Sequence, residues 1–200
     1  MLRTRLRGVV VVTLVTLAVL AAAAAASNTG LGRFLVSSHV ETGFVVRGHP
    51  WIETSLHAFL TKIVKDSPKR LKIDSERLRA VGFVGGAAEV LSGGKGSEGV
   101  SFVIELGSAA AARREAEDDL RTAIRVQGHA PIMRLEFPAV PGVKAFTVGA
   151  AEGPGAGNAY WVEGRCVLGV GVARNGTGSL SDPILQGASG VYISTGGRCP

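Results

Sequence analysis

Residues 100–128 read VSFVIELGSAAAARREAEDDLRTAIRVQG, and this stretch decides the fold class. Residues 100–106 form an apolar, β-branched run with one charge, Glu105, and they read as a strand. Ser108 stands where a helix cap belongs. Ala109, Ala112, Ala116, Leu120, Ala123 and Ile124 then share one helical face until Gly128 ends the pattern. Further strands follow at 132–137, 143–148, 159–162 and 165–172, the last two joined by Glu163-Gly164 as a tight turn. Residues 80–84 and 87–91 are strand candidates upstream, and Asp182-Pro183 opens a final helix to about residue 194. The pattern predicts an α+β domain, a largely antiparallel sheet covered by helices on one face.

Toward the N-terminus the pattern weakens. Trp51, Ile52, Leu56, Phe59, Leu60 and Ile63 recur at helical spacing, so 51–66 is expected to be a helix stopped by Ser67-Pro68. Residues 69–79 hold a second, basic helix with Asp74 or Ser75 as its cap. Residues 27–50 read as an extended stalk or a short hairpin, strand-like at 33–36 and 44–46. The first 26 residues are an export segment. Arg3, Arg5 and Arg7 precede an apolar run over 9–20, and Ala24-Ala25-Ala26 before Ser27 fits an A-x-A cleavage site. The alternative is an uncleaved membrane anchor, because residues 9–26 are just long enough to span a bilayer. Either version places residues 51–200, the α+β domain, outside the cytoplasm, secreted or held at the outer face of the cytoplasmic membrane.

Charge and composition exclude several classes. The formal net charge is +6, but three of the positive charges lie in the export segment, and what remains is 19 basic against 16 acidic residues. That is a solubility charge rather than a nucleic-acid footprint, so no nucleic-acid partner is expected. A hydrophobic fraction of 46% rules out a disordered chain. The two cysteines, Cys166 and Cys199, are expected to form one disulfide, on compartment and parity; two unpaired thiols are the alternative.

No motif names a reaction. Residues 94–99 satisfy G-x-G-x-x-G, but the following segment is a strand where a dinucleotide site needs a helix, so the stretch reads as a hairpin tip. No serine stands in G-x-S-x-G, and Glu53 and His57 lack a third metal ligand. Glu115, Glu117, Asp118 and Asp119 alternate with arginines and read as a solvated face rather than a catalytic pair. No catalytic residue, metal site or cofactor is therefore expected. The 62–79 stretch carries seven basic and three acidic residues; it reads as an exposed polar face, or as a surface near anionic lipid head groups or wall polymers if the chain is anchored. Asn175-Gly176-Thr177 is a glycosylation sequon, relevant only in a host with that machinery. The glycine-rich loop at 149–158 ends beside aromatics, and Asn158, Tyr160 and Trp161 are the candidate binding residues. Alternation puts Tyr160 and Trp161 on opposite sheet faces, so at most one is exposed. A plain hairpin connection with Trp161 in the core is the competing reading.

Phe102-Val103-Ile104-Glu105-Leu106, the Ser108-capped alanine helix, Val140-Pro141-Gly142-Val143 and Asn158-Ala159-Tyr160-Trp161 together resemble secreted α+β domains of bacterial envelope proteins. Some of these are similar to the antiparallel αβα sandwiches of the PsbP/Mog1-like type. The resemblance implies a fold and an address and transfers no catalytic residue. The leading expectation is a non-enzymatic extracytoplasmic binding or accessory domain of the cell envelope, with an envelope protein or small ligand as partner. The membrane is a further partner if the N-terminal segment is uncleaved. A secreted hydrolase-type enzyme with a site assembled from distant residues, or a structural subunit of an envelope complex, are the alternatives.

Overall fold

The computed structural model describes residues 30–36, 44–64, 67–93, 97–126, 131–149, 155–174 and 181–199. The export or anchor segment at 1–26, residues 94–96 and 150–154 of the glycine-rich loops, and the sequon at 175–177 lie outside the described residues.

Seven strands make one sheet: β1 (Phe44–Glu53), β2 (Phe83–Gly93), β3 (Glu98–Leu106), β4 (Ile132–Leu135), β5 (Lys144–Gly149), β6 (Gly155–Glu163) and β7 (Cys166–Arg174). Their order is β1-β2-β3-β7-β6-β5-β4, with every neighbouring pair antiparallel. The helices are α1 (Leu56–Ile63), α2 (Pro68–Ala80), α3 (Ala109–Val126) and α4 (Ser181–Thr195). This is the α+β, antiparallel architecture that the strand pattern predicts.

The helical cover is wider than the sequence pattern suggested. On β3, Val103 enters one layer while Ile104 and Leu106 enter the other; on β7, Leu168 and Val170 oppose Val167. A strand that is apolar at successive positions is buried on both faces. Accordingly α1, α2 and α3 cover one face through Phe59, Leu60, Leu78, Ala112 and Ala116. The other face is covered by α4 through Ile184, Ala188 and Val191, together with Leu31, Phe34 and Leu35. Helices therefore lie on both faces, where one face was expected.

Three further differences have local causes. Residues 51–53 end strand β1, because Trp51, Ile52 and Glu53 pair with Ala88, Ala87 and Gly86 of β2, and α1 starts only after Ser55. Ser55 Oγ accepts the Ala58 N–H at 3.3 Å, which fixes that start. Residues 32–34 form a 3-10 turn with Phe34 buried, rather than a strand. The two short strands expected at 80–84 and 87–91 are one strand, β2, whose Gly86, Ala87 and Ala88 are buried between the layers. Cys166 and Cys199 are joined as a disulfide with Cα atoms 5.9 Å apart, tying the chain beyond α4 back to the start of β7.

Candidate functional site

Two of the glycines on the α1–α3 side of the sheet are there for space. A Cβ on Gly86 would stand 2.5 Å from the Phe59 ring, and one on Gly169 would stand 2.4 Å from the Phe102 ring. Both distances lie inside van der Waals contact, so only glycine lets these rings lie against the strands. Phe59 and Phe102 are thereby recessed, and the helices above them leave a cleft of about 200 Å³.

Each wall of the cleft comes from a different element. Phe59, Leu60 and Ile63 of α1 form an apolar flank, and Val100, Phe102 and Ile104 of β3 form the floor. Thr122 and Ala123 of α3 and Tyr160 of β6 close the far side, with the Tyr160 ring 6.2 Å from that of Phe102. Arg70, Asp74 and Arg77 of α2 face Asp119 of α3 across the opening. Ser108 caps α3 as expected, its Oγ accepting the Ala111 N–H at 3.1 Å. That start sets the phase that turns Glu115 and Asp119, one turn apart, toward α2.

Arg77 organises the charge. Its Nη1 lies 2.9 Å from Asp119 Oδ1, and its Nη2 lies 3.0 Å from Glu115 Oε1 and 3.5 Å from Asp74 Oδ1. Burial works against the guanidinium charge, yet Asp119 and Glu115 outweigh it and hold the Arg77 pKa above its usual range. Glu115 is 0% exposed. Burial, then the neighbouring Asp119, pushes its carboxyl up to about 7. Burial likewise raises Asp119 against the opposing pull of Arg77, and raises the Tyr160 hydroxyl. The expectation that Glu115 and Asp119 sit on a solvated face is therefore corrected: both point inward, because Arg77 draws them to α2. Glu115 does not line the cleft, however, and its oxygens are sealed behind Arg77.

The three candidate binding residues part company. Tyr160 lines the cleft. Asn158 is half-buried on the same face of β6, its Oδ1 over Gly171, where a Cβ would meet it at 2.9 Å. Trp161 is 2% exposed in the opposite layer, and its Nε1 donates to Glu163 Oε1 at 2.9 Å. Glu163 Oε2 also accepts from Thr195 Oγ1 at 2.9 Å, so this pair fastens α4 to the sheet. The loop beside them is short, since Gly155 already belongs to β6 and only residues 150–154 lie between the strands. Arg77, Asp119, Phe59 and Phe102 went unmarked as site residues in the sequence; the single available signal was the i, i+4 spacing of Glu115 and Asp119 beside Ala112 and Ala116. Among the described residues no group of three or more His, Cys, Asp or Glu is placed to hold a metal, and no helix is long and apolar enough to cross a membrane.

No family model matches this chain, and no curated protein matches it. Among solved structures, the extracellular domain of PknH from Mycobacterium tuberculosis is similar in fold. The TM-score is 0.51 at 11% identity, covering 83% of this chain and 96% of that one. At that identity the likeness concerns the fold alone, and it does not show the PsbP/Mog1 type.

Proposed function

We propose that this chain is a non-enzymatic, extracytoplasmic binding domain of the cell envelope, and that its site is the cleft beneath α1, α2 and α3. The observation that carries the reading is the convergence of five elements on one hollow with an apolar floor and a charged rim. Recessed apolar surface beside a few fixed polar groups is the usual form of a small-ligand site. The fold likeness to an extracellular domain, the disulfide and the export-type N-terminal sequence support the address. An enzyme is the weaker reading, because Glu115, raised to about 7, does not line the cleft, and Asp119, which does, is paired with Arg77.

The test is uptake of a neutral apolar fluorophore, N-phenyl-1-naphthylamine, by the full chain. The expected result is saturable one-to-one binding with enhanced emission. It should be abolished in Ala123→Trp, whose indole fills the hollow, at unchanged circular dichroism. Equal uptake by the folded variant, or no saturable uptake by the wild type, overturns the reading.

A further inference from the structure

A second hollow of about 500 Å³ lies between α2 and α3 next to the cleft, and the two share Arg70, Asp74, Arg77 and Thr122 in their walls. The chemistry changes along this path. The inner part is floored by Phe102 and Ile104 and flanked by Phe59 and Ile63. The outer part is rimmed by Lys69, Arg70, Arg121 and Arg125 against two carboxylates, Asp74 and Asp118.

Those carboxylates are already engaged. Asp74 lies 3.4 Å from Arg70 Nε and also faces Arg77, and Asp118 pairs with Arg121. Arg77 in turn is committed inward to Asp119 and Glu115. Among the described residues, no carboxylate lies within ion-pair distance of Lys69 or Arg125. Among the described residues the mouth thus carries a surplus of two positive charges, on exposed side chains from two different helices that face one opening. Exposed Ile73 stands beside them. An occupant complementary to the whole path has an anionic end at the mouth and an apolar end in the cleft.

Resting on the proposed cleft site, we propose that the ligand is a single-chain amphiphile with an anionic head group, its head between Lys69 and Arg125 and its chain on Phe102 and Ile104. A purely ionic ligand would leave the apolar floor wet, and a neutral one would leave the two cations unpartnered. Charge complementarity supplies orientation here, while apolar burial supplies most of the affinity.

Titration calorimetry on the full chain distinguishes the alternatives. The probes are decyl phosphate, decyl maltoside, decyltrimethylammonium and inorganic phosphate, each below its critical micelle concentration. Decyl phosphate is expected to bind one-to-one, about tenfold tighter than decyl maltoside. Inorganic phosphate should show no saturable binding, and decyltrimethylammonium should bind more weakly than decyl maltoside. Replacing both exposed cations, Lys69→Ala with Arg125→Ala, should bring decyl phosphate down to the affinity of decyl maltoside and leave decyl maltoside unchanged. Equal binding of the phosphate and maltoside probes by the wild type overturns the anionic head and leaves the cleft reading standing. Saturable binding of inorganic phosphate as tight as decyl phosphate overturns the amphiphile. Failure of every decyl probe to bind overturns both this proposal and the cleft reading.

Discussion

Glu115 shows how a single residue escapes sequence reading and then governs a property of the fold. In the sequence it sits within a run of alternating charges, and such a run ordinarily faces water. Its partner Arg77 belongs to another helix, and nothing local announces that α2 and α3 meet there. The opposite facing of Tyr160 and Trp161 was legible because alternation along β6 separates them whatever the tertiary context. The buried Glu115 carries a testable pH signature. Its carboxyl stands at about 7 in the fold, against an ordinary 4.5, with Asp119 and Asp118 of α3 and Asp74 and Arg77 of α2 around it. Between those two values the folded chain keeps a proton that the unfolded chain has lost. Stability therefore falls as pH rises through that window, by up to about 3 kcal/mol. Glu115→Gln removes this titration and leaves Asp119 and Glu163, raised in the same direction, present in both proteins. Thermal melts from pH 5 to 7.5 should show the variant gaining steadily on the wild type. A difference that stays constant across that range contradicts the assignment.

At the scale of elements, strands and helices after residue 98 were legible because α3 carries a period of 3.6, β6 one of two, and β3 and β7 are short apolar, β-branched runs. The end of β1 was not, although its start at 44–46 was, since Trp51 and Ile52 fit helical spacing and only their pairing with Ala88 and Ala87 makes them strand. The second helical cover was hidden for a related reason: Phe34 and Leu35 read as a strand until α4 is seen packed against them. The close approach of β7 to Phe102 gives the element-scale prediction. Gly169→Ala places a methyl group 2.4 Å from the Phe102 ring. Replacing glycine within a strand ordinarily gains about 0.5–1 kcal/mol from the unfolded chain, but overpacking of this kind costs about 1–3 kcal/mol. The clash should win, lowering the midpoint of denaturant unfolding and weakening fluorophore uptake together, because the displaced ring forms the cleft floor. A variant as stable as the wild type, with uptake intact, would show that the ring has free space elsewhere.

At the scale of the whole molecule, the site exists only because α1, α2, α3, β3 and β6 converge, bringing Phe59 and Tyr160 into one wall system although 101 positions separate them in the chain. No window of sequence contains that information, which is why the architecture could be read and the cleft could not. The sequence pointed instead to the glycine-rich turn before Asn158, a local signal of the kind that sequence displays well. The two locations make opposite demands on one measurement, amide chemical-shift mapping of the full chain during titration with decyl phosphate. The largest shifts are expected on Phe102, Ile104, Thr122, Ala123 and Tyr160, with smaller ones at Lys69 and Arg125. Shifts confined to Gly155, Ala156 and Gly157, or centred on Ile184 and Val191 across the sheet, would contradict the cleft site.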